Sequence, residues 1–211
     1  MGDALALENG LPNAGLGRED RLAGSANDPQ NKNDEAELLE GCRRGDASAF
    51  ERLFEAHGMR MKSVAANLLG NVSDAEDAVQ ESFLKVYRGA ASFRGASRLS
   101  TWLYRVLLNT CYDLLRRRLR HPESAPEAGQ AELRAAGDDH PLRLDLEAAV
   151  ARLAPRRRMA FLLFEVEGFS HREVGEILGV PEGNSRVLLH EAKRELQRLL
   201  SPRGSAREAR A

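Results

Sequence analysis

Cysteine is scarce: the 211 residues hold only Cys42 and Cys111. Two thiols so far apart make neither a disulfide framework nor a metal-ligand spacing, and a reducing cytosol is the expected compartment. Long apolar runs are missing too. The longest, Met159 to Phe164, falls far short of the ~18 residues that a membrane span needs, so no membrane insertion is expected. The first residues, MGDALALENG, show no basic stretch followed by an apolar core, so no secretory signal is expected. No segment alternates β-branched and polar residues as a strand would. Catalytic signatures are absent as well. His57, His121, His140, His171 and His190 form no metal set with the cysteines, and no Gly-rich phosphate loop or nucleophile motif occurs. No enzyme activity, no metal and no cofactor are therefore expected.

Charge is abundant but nearly balanced, with 31 Lys and Arg against 32 Asp and Glu. Its distribution is uneven. The first forty residues are acid-rich, and residues 121–141 hold five acids and one base. Between them, residues 81–121 hold nine bases and two acids. A basic block between acidic flanks is the footprint of a phosphate-binding surface.

Helical periodicity with punctuating Gly and Pro organises the chain as all-α. Residues 1–33, rich in Gly, Asn, Asp and Pro, read as a disordered N-terminal extension. Residues 34–120 read as a first helical domain, interrupted at Gly41–Gly45, Gly58, Gly70–Ser73 and Gly89–Ser100. Residues 121–141 read as a flexible acidic linker, residues 142–200 as a second small helical domain, and residues 201–211 as a frayed tail. Ser73-Asp74-Ala75-Glu76 and Ser170-His171-Arg172-Glu173 have the form of capping boxes. Pro155 suits a first helical turn, where its missing N–H is harmless.

The second domain contains a helix-turn-helix pattern. A short helix through Val174, Ile177 and Leu178 stops at Gly179, where the chain reverses and glycine takes positive φ cheaply. Gly175 is small enough to let a second helix cross closely, and Val180 is expected to fill the core. The longer helix after Pro181 turns Ser185, Leu189, Ala192, Leu196 and Leu199 inward. Asn184, Arg186, Val187, His190, Lys193 and Arg194 then face outward, with the chemistry to meet base edges and thymine methyls in a major groove. Glu191 and Glu195 dilute the positive charge of this unit, so duplex binding by it alone should be weak.

In the first domain, residues 100–120 form one helix. Thr101, Arg105, Asn109, Asp113, Arg116 and Arg120 fall on a single polar edge. Arg105 and Asn109 can read bases, while Arg116, Arg117 and Arg118 lie where phosphates would pass. The preceding loop, Phe93-Arg94-Gly95-Ala96-Ser97-Arg98-Leu99, combines an aromatic with two guanidinium planes. Such groups stack on unpaired bases for roughly 1–3 kcal/mol each. Trp102 is expected to be a core anchor. On the helix from Ser73 to Arg88, Ala75, Val79, Phe83 and Val86 face inward, and Asp77, Gln80 and Glu81 face outward. Acids beside a phosphate-binding edge suit a protein partner better than DNA.

Four stretches in order carry a family resemblance: LLEGCRRGDASAFERLFEAH, DAEDAVQESFLKVYRGAASFRG, STWLYRVLLNTCYDLLRRRLR and LAPRRRMAFLLFEVEGFSHREVGEILGVPEGNSRVLLHEAKREL. They resemble the RNA polymerase sigma factors, specifically the extracytoplasmic-function branch of the sigma-70 family. The resemblance implies a protein that binds bacterial RNA polymerase core and directs promoter recognition, opening and initiation, as for a stress or envelope-response regulon. Region 2 would correspond to residues 34–120 and region 4 to residues 142–200. By position, Asp77, Gln80 and Glu81 would meet the β′ clamp helices. Phe93, Arg94 and Arg98 would hold a flipped −10 base, with Arg105, Asn109, Arg116 and Arg117 beside them. Asn184, Arg186, Val187, His190 and Lys193 would face the −35 element. The β flap and an anti-sigma factor would be further partners, with the protein cytoplasmic and at the nucleoid when active. Leu188 and Glu191 depart from family positions that are commonly basic, and Ser185 weakens the inner packing. Two other readings compete: a sigma-like protein that titrates an anti-sigma factor, and a stand-alone helix-turn-helix repressor, for which residues 34–120 offer no clear dimer interface or ligand pocket.

Overall fold

The computed structural model describes residues 29–120 and 141–201, with side chains from Glu35 and from Asp145 onward in the two segments. The expected linker, apart from Pro141, most of the N-terminal extension and the tail beyond Ser201 lie outside the described residues. Eight α-helices hold most of the described residues, and none of those residues is in a strand. The first four are α1 (Pro29–Arg43), α2 (Ala47–Leu69), α3 (Val72–Gly89) and α4 (Leu99–Arg120), with one 3₁₀ turn at Ala90–Ser92. After the linker come α5 (Pro141–Arg152), α6 (Pro155–Phe161), α7 (His171–Leu178) and α8 (Glu182–Leu200). The last turn of α6 widens into a π turn at Leu162–Val166.

Local chemistry sets the helix ends. The Asp46 carboxylate accepts from the Ser48 backbone N–H at 2.9 Å and starts α2. Gly70, in the left-handed region with φ 70°, stops it. The cap of α3 is Asn71, whose side chain accepts from the Asp74 N–H at 3.1 Å. The expected capping box at Ser73 is therefore a misplacement: Asn71 takes the role two residues earlier and Ser73 lies inside the helix. The box at Ser170 is present, with Ser170 and Glu173 satisfying one another's backbone N–H groups. Pro155 sits in the first turn of α6. Gly58 does not break the chain but lies within α2, and α1 begins at Pro29, earlier than the disordered extension was expected to end.

Burial follows the helical period. Ala75, Ala78, Val79, Ser82 and Val86 form the inner stripe of α3, which packs against α2 and α4. Helix α4 packs against α2 and α3 of its own group and also against α7. Leu103, Tyr104, Leu107, Leu108 and Cys111 are all buried along it. That burial overturns one expectation. Thr101 belongs to no exposed edge; it is fully buried. Periodicity marked Thr101 as polar, but it could not register that another helix would cover it.

The two groups of helices share one core. Met159, Ala160, Leu163, Phe169, Val174 and Ile177 join the apolar cluster built by α1–α4. A smaller cluster of Ala149, Val150, Leu153, Ala192 and Leu196 ties α5 to α8. Within the helix-turn-helix, Gly175 makes the crossing possible: a Cβ there would lie 2.8 Å from the Val180 carbonyl oxygen. Val180 itself is half-buried, a partial plug.

Candidate nucleic-acid interface

The outward face of α8 stands as its period implies. Asn184, Arg186, Val187, His190 and Lys193 are all exposed, while Ser185, Leu189, Ala192 and Leu196 are buried. Ser185 is no defect in the packing: its hydroxyl lies 3.1 Å from His171 Nδ1. His171 stacks on Phe164, and burial, then Arg186, holds its pKa below the usual histidine range. Several charges on the face have partners. Arg186 pairs with Glu182 at 2.5 Å, and Lys193 with Glu165 at 2.7 Å. The acids that dilute α8 are also engaged: Arg157 of α6 lies 2.9 Å from both Glu191 and Glu195. Glu191 is thereby drawn towards α6, and Glu182, paired with Arg186, is the exposed acid at the start of the face.

The α4 edge is partly as expected. Asn109, Arg116 and Arg117 are exposed and Arg105 is half-buried, so Arg105 and Asn109 form adjacent steps of one ridge. Arg116 pairs with Asp113 one turn back. Arg118 is drawn to Asp74 in the first turn of α3. It therefore braces two helices, and Arg116 and Arg117 remain as the outward cations of that run.

The loop before α4 is the least expected part. Phe93 stacks on Trp102 with ring centroids 4.5 Å apart and an interplanar angle of 12°. Arg43 of α1 donates to the Phe93 carbonyl. Trp102 therefore anchors the loop, as its core role implies, and covers one face of the phenyl ring. Arg94 is exposed, but Arg98 is not: its side chain keeps only 15% of its surface. Its guanidinium lies 3.6 Å from Glu35 of α1 and 3.6 Å from Glu173 of α7.

The face of α3 also extends further than its acids suggest. Asp77 and Gln80 are exposed, and Glu81 pairs with Lys85 at 3.0 Å. One and two turns beyond Gln80 come Leu84 and Tyr87, 55% and 56% exposed, with Phe54 of α2 at 49%. Phe54 packs edge-on against Phe83, and Phe50 against Tyr87. An apolar patch beside acids is the mark of a protein-binding surface. The step from 80 to 84 to 87 stands in the sequence, where the charged half of the face is the stronger signal.

No group of His, Cys, Asp and Glu among the described residues could hold a metal ion. Both cysteines are buried and unpaired, and burial pushes the Cys111 thiol up to about 12. No described helix is long and apolar enough to cross a membrane.

Comparison with known proteins decides what these faces belong to. The family described as Sigma-70 region 2 matches residues 53–121, and Sigma-70 region 4 matches residues 143–196. The ECF RNA polymerase sigma factor SigM of Mycobacterium tuberculosis is 33% identical over 174 residues, spanning 79% of this chain and 84% of its own. This chain is an ECF sigma factor of the sigma-70 family. The ECF RNA polymerase sigma-E factor of Salmonella typhimurium is 31% identical over 179 residues, spanning 78% of this chain and 93% of its own. Among solved structures, the sigma factor RpoE of Bartonella quintana, in complex with the anti-sigma factor NepR, superposes with a TM-score of 0.58 at 25% identity. That match covers 72% of this chain and 96% of RpoE. As a sigma factor, the chain binds RNA polymerase core and directs transcription initiation, and α7–α8 is its region 4 helix-turn-helix.

Proposed function

We propose that the two exposed faces divide promoter recognition between them. The Arg105–Asn109 ridge of α4, with Phe93, Arg94 and Arg98 before it and Arg116 and Arg117 after it, takes the −10 element and holds its opened strand. Asn184, Arg186, Val187, His190 and Lys193 take the −35 element in the major groove. Asp77, Gln80 and Glu81, extended by Leu84, Tyr87 and Phe54, meet the β′ clamp helices, and residues 142–200 reach the β flap. Residues 34–120 and 142–200 act as the two working units, joined through the acidic segment 121–141. The protein works in the cytoplasm, at the nucleoid when active, and without catalysis of its own. An anti-sigma factor is its natural antagonist, since RpoE of Bartonella quintana was solved with one.

The observation that carries this reading is the outward presentation of two DNA-competent faces, on α4 and α8, within one chain. A protein that merely titrates an anti-sigma factor has no use for them. Each face alone is modest in charge, so binding depends on both being tethered to one large enzyme. The test is Arg105→Ala with Asn109→Ala in holoenzyme. Promoter opening should be lost while association with core polymerase persists. If the double variant loses core binding instead, the face of α4 has been misassigned.

A further inference from the structure

The reading end of α8 is thinly anchored. Of residues 181–187, Ser185 alone is buried, with 1% of its surface exposed. Pro181 stands at the N-cap and supplies no side-chain hydrogen bond to the first turn, whereas α7 starts from the full box of Ser170 and Glu173. Leu189, Ala192 and Leu196 bury the rest of α8, but they lie beyond that turn. The thinly held part is the part that carries Asn184, Arg186 and Val187, and Arg186 pairs only along its own helix, with Glu182.

A serine offers little apolar surface to bury, and a buried hydroxyl is disfavoured unless it is hydrogen-bonded. Its partner is His171, whose Nδ1 lies 3.1 Å from Oγ. Among the described residues, this is the one polar side-chain link from residues 182–190 to another element. His171 is itself fixed from two sides. Its backbone follows the capping box at Ser170, and its ring stacks on Phe164 with centroids 4.3 Å apart and planes at 24°. Phe164 belongs to the π turn Leu162–Val166, whose next residue, Glu165, meets Lys193 at 2.7 Å. The π turn thus reaches α8 twice: directly at Lys193, and through His171 at Ser185. The two tethers share no residue of α8.

We propose that His171 is a specificity-determining positioning residue: by holding Ser185 against a ring that Phe164 fixes, it sets the register in which Asn184, Arg186 and Val187 meet their base edges in the −35 major groove. The inference deepens the assignment of α8 to the −35 element and rests on it. His171 needs no contact with DNA for this role. Discrimination in the major groove depends on paired donors and acceptors meeting a base edge in one geometry. A small slide or rotation of the first turn therefore loses discrimination at the bases that turn reads. The bases read from His190 and Lys193, beside the separate tether at Glu165, are spared.

The test uses holoenzyme formed with the full chain, initiating from a promoter library with one −10 element and a randomised −35 element. Base preference at each −35 position is read from barcoded transcripts. Asn184→Ala, Arg186→Ala, Val187→Ala, His190→Ala and Lys193→Ala assign positions to residues. His171→Phe keeps a ring against Phe164 and removes the hydrogen bond. It should lower the preference at the positions assigned to Asn184, Arg186 and Val187 by ~2- to 12-fold, the range that one hydrogen bond spans. The positions assigned to His190 and Lys193 should keep theirs. His171→Asn, whose amide can place a polar atom near the site of Nδ1, should restore most of the preference although it gives up the stack. Ser185→Ala should match His171→Phe, and the two together should be no worse than either alone. Ser185→Ala also carries the test if His171→Phe does not fold. An equal loss at every −35 position, or no loss, overturns the proposal, as does additivity of the two substitutions. Should the five assigning variants leave the −35 preferences intact, the assignment of α8 itself falls, and the positioning role with it.

Discussion

Glycine-to-alanine substitution at two helical sites should have opposite signs, and the difference can be worked from the backbone. At Gly175, a Cβ would stand 2.8 Å from the Val180 carbonyl oxygen, 3.4 Å from the Glu182 nitrogen and 3.5 Å from its Cα. These are backbone atoms of the turn and of α8, so relief requires α8 to move as a body. Overpacking of this kind costs about 1–3 kcal/mol, against which alanine recovers about 1 kcal/mol of helix propensity. The net expectation for Gly175→Ala is a loss of up to about 2 kcal/mol. At Gly58, within α2, the nearest atoms to a Cβ are ring carbons of Phe54 at 3.4 Å. Phe54 is half exposed, its ring can yield, and only the propensity term remains. Gly58→Ala should be neutral or stabilising by up to about 1 kcal/mol. For a chain of this size each kcal/mol moves Tm by roughly 2–4 °C. Thermal unfolding of the two variants should bracket the parent, with Gly175→Ala below it. The same displacement of α8 should weaken −35-dependent initiation. A Gly175→Ala protein more stable than the parent would refute the close crossing of α7 and α8.

His57 is held down to about 4 from its ordinary 6.5, first by burial and then by Arg60. Between those values the unfolded chain binds the extra proton, so stability is full above pH 6.5 and falls as pH drops towards 4. The loss reaches up to about 3 kcal/mol. Burial holds the Glu167 pKa above its usual range, which favours the fold at low pH and partly opposes this trend. Denaturant titrations of the parent and His57→Gln from pH 7 to 4.5 isolate the histidine contribution as the difference in slope. On the α3 face, Leu84→Ala with Tyr87→Ala should weaken core-polymerase binding by at least ~10-fold, as buried interface anchors do. Because both side chains are exposed in the free protein, Tm should hardly move. Arg157→Ala releases Glu191 and Glu195 toward the DNA face, so −35-dependent transcription should fall, more at low salt than at high salt. Glu191→Gln in that background should restore part of it.

Local patterns carried most of the fold. The inward stripe of α8, the box at Ser170 and the turn at Gly179 depend on neighbours within one or two helical turns, and each stands in the structure as the spacing implied. The outward set from Asn184 to Lys193 was legible for the same reason. The errors arise where a distant segment decides. Thr101 shares the polar edge of α4 by period, but it is fully buried in a helix that packs against α7 as well as α2 and α3. Arg98 reads as an exposed loop cation, yet it is gripped by carboxylates 63 residues before it and 75 after it in sequence. Arg118 reads as a phosphate contact by its place in the basic run, yet it pairs with Asp74 of α3. Asn71 and Ser73 are both good caps, and propensity alone could not rank them. By residue type Ser185 reads as a weak point of the core, because its partner, His171, comes from the preceding helix.

The most direct test mixes the purified chain with bacterial core polymerase and follows both co-elution and run-off transcription from a promoter with −10 and −35 elements. The expected result is a stable complex that initiates from that promoter, while the chain alone scarcely retains duplex DNA. A chain that fails to associate with core, yet binds the duplex tightly by itself, would contradict the assignment of these helices to a polymerase-borne promoter reader.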